Sequence, residues 1–274
     1  MTIRGIVKRL HSQKNGRITR LFSPSSEGEL LKPFVFLDHV DSGGPVGEGT
    51  DFPLHPHSGI VTLGYLFGGS AHVEDTTGVA HCIEPGGIEW MKAGKGVWHK
   101  TTPDVGSHVR GFQLWIALSP DQELDPPQSE TFPAADVQRR GPVSVLLGCY
   151  EDALSPIPPF GPVDYFAVEL RKGEQWRHQP PPGHDVAWLA VAEGELGMQP
   201  VLRNGEVAVF DRSDNAIAVT ATRNTTFMFG SAPAHPHSLF VGKHSVHCSA
   251  EALHIAEAEI ERQRPAVTHP GQPV

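Results

Sequence analysis

The chain has 274 residues, enough for one large core or two medium ones, with the 39% hydrophobic and 19% charged content of an ordinary soluble globular protein. A formal net charge of -9 argues against direct nucleic-acid binding, which draws on a basic patch to displace counterions. The opening residues lack a signal-type apolar stretch, and no run approaches the roughly 20 apolar residues of a membrane span. Cys82, Cys149 and Cys248 form no CxxC pair, so a cytoplasmic protein without a disulfide framework or a zinc knuckle is predicted.

Short apolar stretches punctuated by 29 glycines and 25 prolines run along the chain, the texture of many strands joined by turns. The first candidates, IRGIVKRL and GRITRLF, interleave Arg4, Lys8, Arg9, Lys14, Arg17 and Arg20 with apolar residues, which predicts a solvated strand face. FVFLDHV, IVTLGYLFG, AHVED, VAHCIE, GIEWM, VWHKT and HVRGFQLWIAL follow as strands. Residues 119–142, rich in Pro, Asp and Gln and without a period, predict a connection crossing the surface. Strands resume with VSVLLGCY, VDYFAVEL, DVAWLAVAEG, PVLRNGEVAVF, AIAVTA, TTFMFG and HSLFVG.

The two halves repeat one order of strand, turn, strand, tight hairpin and strand, with Asn204-Gly205 as the hairpin signal in the second. The expected architecture is therefore all-β, with two β-barrels, at 1–118 and 143–274, joined by 119–142. One helix is expected at 249–263, packed on the outside. Ser249 caps it, Leu253, Ile255, Ala256 and Ile260 supply its apolar side, and Pro265 ends it before a loose tail.

Of the 16 histidines, His11, His72, His81, His178 and His254 stand alone and read as structural or solvated. His235-Pro236-His237 reads as an exposed turn. His55 and His57, in FPLHPHSGI, are different. Residues two apart on a strand share a face, so both imidazoles can converge on one point. About forty residues on, WMKAGKGVWHKTTP leads a Gly-rich turn into a strand carrying His99. Two imidazoles from one strand and a third from another make a facial set with open positions for substrate or oxygen.

KPFVFLDHV, FPLHPHSG, TLGYLFGG, IEPGGIEWMKAGKGVWH and HVRGFQLWI, in that order over residues 33–118, resemble the pirin family, a branch of the cupins. The resemblance implies a bicupin, two packed cupin barrels, with a mononuclear metal site in the N-terminal barrel only. Its metal ligands are then His55, His57 and His99. The metal is iron in the first place, with Zn, Mn, Ni or Cu as alternatives. The family's glutamate, two residues past the third histidine, is here Thr101, a catalytic residue that orients a bound water through its hydroxyl. The other cupin position for a glutamate holds Val61. Three neutral imidazoles leave the metal charge uncompensated, which favours an anionic phenolic or enolic substrate. The resemblance further implies a dioxygenase of the quercetin 2,3-dioxygenase kind. The alternatives are a non-enzymatic regulatory protein with a protein partner, or a metal-free scaffold.

Overall fold

The computed structural model describes residues 2–264, so Pro265 and the tail 265–274 lie outside the described residues. Two β-barrels with antiparallel pairing make up the fold. In the first, a seven-stranded sheet runs in the order Gln128–Phe132, Ile88–Lys92, Ile60–Gly68, Arg110–Ala117, Phe34–Asp41, Ile18–Phe22 and Gln13–Asn15. It faces a four-stranded sheet of Phe52–His57, Val97–Pro103, Ala71–Asp75 and Ala80–Ile83. The second barrel has its own seven-stranded sheet, with Val186–Glu193, Thr225–Ala232 and Asp164–Leu170 at its centre, and a ribbon of Gln175–His178 with Ile217–Thr220.

Strand alternation sorts the side chains of the first large sheet. Val61, Leu63, Tyr65, Ile88, Trp90, Leu114 and Ile116 point one way, into a cluster shared with Tyr165, Val207 and Met228 of the second barrel. Trp188 is its hub, meeting Phe22 at 5.5 Å and Phe34 at 5.4 Å edge-on, a geometry that suits the ring quadrupoles. The alternate residues, Gly64, Glu89, Gln113 and Trp115, point into the first barrel. There the apolar filling is small (Val35, Ile60, Met91, Ala93, Val97, Ala117 and Val246), and a cavity of about 180 Å³ remains. Phe166, Trp176, Leu189, Phe227 and Phe229 fill the second barrel instead.

Strand pairing does not follow the expected division at 118 and 143. Ile6–His11 pairs with Glu206–Phe210 and is an edge of the second barrel's sheet. The segment 119–142 is more than a connection. Its Gln128–Phe132 pairs with Ile88–Lys92 in the first barrel, and Arg139–Arg140 pairs with Val143–Leu147 in the second. Arg4 is buried rather than solvated, donating to the carbonyls of His184 at 2.7 Å and Asn215 at 3.0 Å.

The helix spans Ala250–Arg262, and the Ser249 hydroxyl caps it by accepting from the Ala252 N–H at 3.0 Å. It lies against the first barrel, where Trp98 Nε1 donates to the Ile260 carbonyl at 3.0 Å. Its buried residues are Ala252, Ala256 and Ile260, whereas Ile255, expected on the apolar side, is exposed. No helix among the described residues is long and apolar enough to cross a membrane.

Candidate metal centre

The Phe52–His57 and Val97–Pro103 strands are antiparallel neighbours, with His55 opposite His99 and His57 opposite Val97. This register brings the three imidazoles to one wall of the cavity, with potential ligand atoms all within 4.8 Å of one another. The ring centroids of His55 and His99 are 4.4 Å apart, and those of His57 and His99 are 5.0 Å apart.

Each ring is fixed through Nδ1. His55 Nδ1 donates to the Pro53 carbonyl at 2.8 Å, and His57 Nδ1 donates to the His244 carbonyl at 3.0 Å. A carbonyl can only accept, so both Nδ1 atoms carry the proton and both Nε2 atoms are left with a lone pair. His99 Nδ1 lies 3.2 Å from Glu89 Oε1 and donates to that carboxylate. The His55 and His99 Nε2 atoms then face each other at 3.0 Å. Two lone pairs at that distance repel unless a cation lies between them. A proton is a poor candidate at neutral pH, because burial and the neighbouring His99 push the His55 pKa down to about 4. Burial, with His99 and His55 beside it, likewise holds His57 well below the ordinary range. A neutral facial set of three Nε2 donors, each oriented by an outer partner, suits a divalent transition metal.

Glu89 was not legible as a site residue, although a carboxylate in the apolar run IEWM was the available signal. A buried charge in such a strand needs a partner. Room for it comes from Gly64, where a Cβ would stand 3.0 Å from Glu89 Oε2 and 3.2 Å from Gln113 Oε1. His244 was also missed, since no local pattern marks it; its ring lies 5.8 Å from that of His55. Thr101 lines the same cavity as the three histidines, along with Phe36, Phe52, Phe112 and Trp115. His235 and His237 belong to no metal-capable group among the described residues. His235 is buried rather than in an exposed turn, its Nε2 3.2 Å from the Leu118 carbonyl.

Behind His57, the motif is clamped by a distant segment. Ser58 Oγ lies 3.0 Å from His247 Nε2 and 2.8 Å from Ser245 Oγ, and His247 Nδ1 lies 3.2 Å from Glu123 Oε2. Ser58, His247 and Glu123 have the order of a nucleophilic triad but are all buried, so no substrate reaches the serine. Gly59, at φ +72°, lies so close that a Cβ would collide with the Val246 carbonyl and the His247 ring.

The fold and site define a two-barrel cupin with a histidine-lined pocket in the first barrel. The sequence profile of the Pirin family matches residues 15–116. A pirin-like protein of Caulobacter vibrioides is 33% identical over 210 residues, covering 72% of this chain and 75% of that protein. The chain belongs to the pirin family. A Pseudomonas aeruginosa protein named as a candidate quercetin 2,3-dioxygenase is 28% identical over 232 residues, covering 77% of this chain and 78% of that protein. Among solved structures, quercetin 2,3-dioxygenase from Acinetobacter baumannii superposes with a TM-score of 0.85 at 22% identity, covering 95% of this chain and 98% of that one. The bacterial pirin YhhW of Escherichia coli, solved with nickel(II), gives a TM-score of 0.64 at 18% identity, covering 82% of this chain and 96% of that one.

Proposed function

We propose that this protein is a metal-dependent dioxygenase of the quercetin 2,3-dioxygenase type, with His55, His57 and His99 as the metal ligands and iron as the first choice of metal. The observation that carries the reading is the convergence of three Nε2 atoms whose Nδ1 partners leave them unprotonated. A metal held there by His55, His57 and His99 would supply Lewis-acid chemistry. The names of the relatives support the substrate class.

The chain's own residues have distinct tasks. Glu89 holds the Nδ1 proton of His99 and places a negative charge one ring away from the ligand atoms. Among the described residues no carboxylate belongs to the group of three histidines, and Thr101 stands where the family resemblance puts a glutamate, so the site favours an anionic oxygen substrate. Phe36 and Trp115, stacked at 4.1 Å, and Phe112 form flat apolar walls that suit an aromatic ring and exclude water. Gln113 Nε2 is buried without a hydrogen-bond partner and offers a donor to a substrate oxygen. The cavity, at about 180 Å³, is smaller than the roughly 300–1,000 Å³ of sites that engulf drug-sized ligands, so a flavonol enters by one edge.

The test is elemental analysis of protein purified without chelators or a metal-binding tag, followed by quercetin turnover under oxygen. Stoichiometric metal and turnover are expected, both lost in His57→Ala. Metal without turnover sinks the oxygenase reading, and folded protein that takes up no metal sinks the whole assignment.

A further inference from the structure

On the opposite side of the wall that bounds this cavity, a second group of donors comes together. His72, on Ala71–Asp75, sits directly opposite Cys82, on Ala80–Ile83. On its other side His72 pairs with Thr102, and Asp104 follows the end of that strand at Pro103. Directly opposed residues share a face, and here Val73 and Ile83 are buried inward while His72 and Cys82 point out. The His72, Cys82 and Asp104 donor atoms all lie within 4.8 Å of one another.

His72 Nε2 is 3.0 Å from Asp104 Oδ1, while the other carboxylate oxygen accepts from the Ser70 hydroxyl. Asp104 is also fixed through its backbone, its N–H donating to the Ser70 carbonyl at 3.0 Å. The carboxylate is therefore oriented before any ion arrives, as outer-shell partners do at metal sites. The Cys82 sulfur makes a long contact to the Ile83 carbonyl, at 3.9 Å, and a backbone contact with Ala71. Partial burial, with Asp104 and Glu84 nearby, raises its pKa, so it is not an activated nucleophile.

We propose that His72, Cys82 and Asp104 form a second divalent-metal site, of the zinc type, on the outer face of the first barrel. One imidazole, one thiolate and one carboxylate are a donor set for zinc or another borderline-soft ion, with a fourth position open to solvent. A tetrahedral zinc with bonds of about 2.0–2.3 Å spaces its ligand atoms by about 3.3–3.8 Å, so the His72 and Asp104 atoms, 3.0 Å apart, open slightly and Cys82 turns toward them as the ion enters. The ion binds as the thiol gives up its proton to solvent. Ala71, Ile83 and Pro103, the immediate neighbours of the three donors, line the inner cavity. A bound ion thus ties together three strand segments at the cavity wall. The site is independent of the three-histidine centre.

The experiment is cobalt(II) titration of the full chain after metal removal, read in the near ultraviolet, where thiolate-to-cobalt charge transfer absorbs and imidazole or carboxylate ligation does not. A charge-transfer band is expected in the native chain and in His55→Ala. It should persist in Cys149→Ser and Cys248→Ser, vanish in Cys82→Ser, and need at least tenfold more cobalt in His72→Ala. Zinc should also slow the reaction of Cys82 with a thiol reagent. No band in the native chain, or a band that survives Cys82→Ser, overturns the proposal.

Discussion

At position 89 a carboxylate stands between Ile88 and Trp90, buried residues of the same strand, and its visible partner is His99. Replacing it by glutamine keeps the shape but removes the charge that holds the His99 Nδ1 proton. Metal affinity should fall about 10–100-fold with the fold intact, as measured by chelator competition. Thr101→Glu should act in the opposite sense, because it adds an anionic group to a wall of neutral imidazoles. Tighter metal binding in the same competition is expected; no gain would mean that position 101 does not reach the metal. His55 and His57 could be paired from sequence because spacing and strand alternation are local properties, whereas His99, on another strand, was assigned to the same site through the resemblance to the pirin family. Glu89 could not be assigned so simply, since its partner sits on a different strand and its own segment reads as core.

At the scale of elements, the helix Ala250–Arg262 and the segment before it hold the first barrel from outside. Ile260→Ala removes a buried side chain beside Trp98 and Gly96 and should cost about 2–4 kcal/mol in a denaturant titration. The helix, its Ser249 cap and most of its span were legible, because capping and the 3.6-residue period are written locally. Which face packs was less so: Ile255 is as apolar as Ile260 yet is exposed, because the barrel meets only the narrow stripe of Ala252, Ala256 and Ile260. The strand and hairpin order also showed in the pattern of turns. That the first strand crosses to the far barrel did not, since pairing partners separated by most of the chain leave no trace in either segment.

Across the whole molecule, buried histidines set the response to acid. Burial lowers His178 and His247 to about 4, so both stay neutral in the fold where the unfolded chain, at about 6.5, binds protons. Stability is therefore unaffected by them above about 6.5 and falls as pH drops towards 4, by up to about 1.4 kcal/mol per pH unit for each. Asp164 opposes this, because burial raises it to about 6 and the folded state keeps its proton longer. The histidines outnumber it, so the melting temperature of metal-free protein should decline between pH 6.5 and 4.5. His178 stacks on Trp176 at 5.4 Å, and its buried Nε2 has no hydrogen-bond partner. His178→Phe should leave stability at pH 7 unchanged or higher and flatten the acid limb by one proton; an unchanged slope would show that His178 is not a source of the response.

The exchange of end segments between barrels also bears on how the protein is made. His57 depends for its orientation on the carbonyl of a residue 187 positions later. When the HPH strand emerges from the ribosome, neither that carbonyl nor the His247 ring behind Ser58 has been synthesised. Ile6–His11 waits in the same way for Glu206–Phe210. His57 therefore reaches its final orientation only after both barrels have been translated, and a ribosome stalled between them releases a half with an unpaired first strand and an unlocked His57.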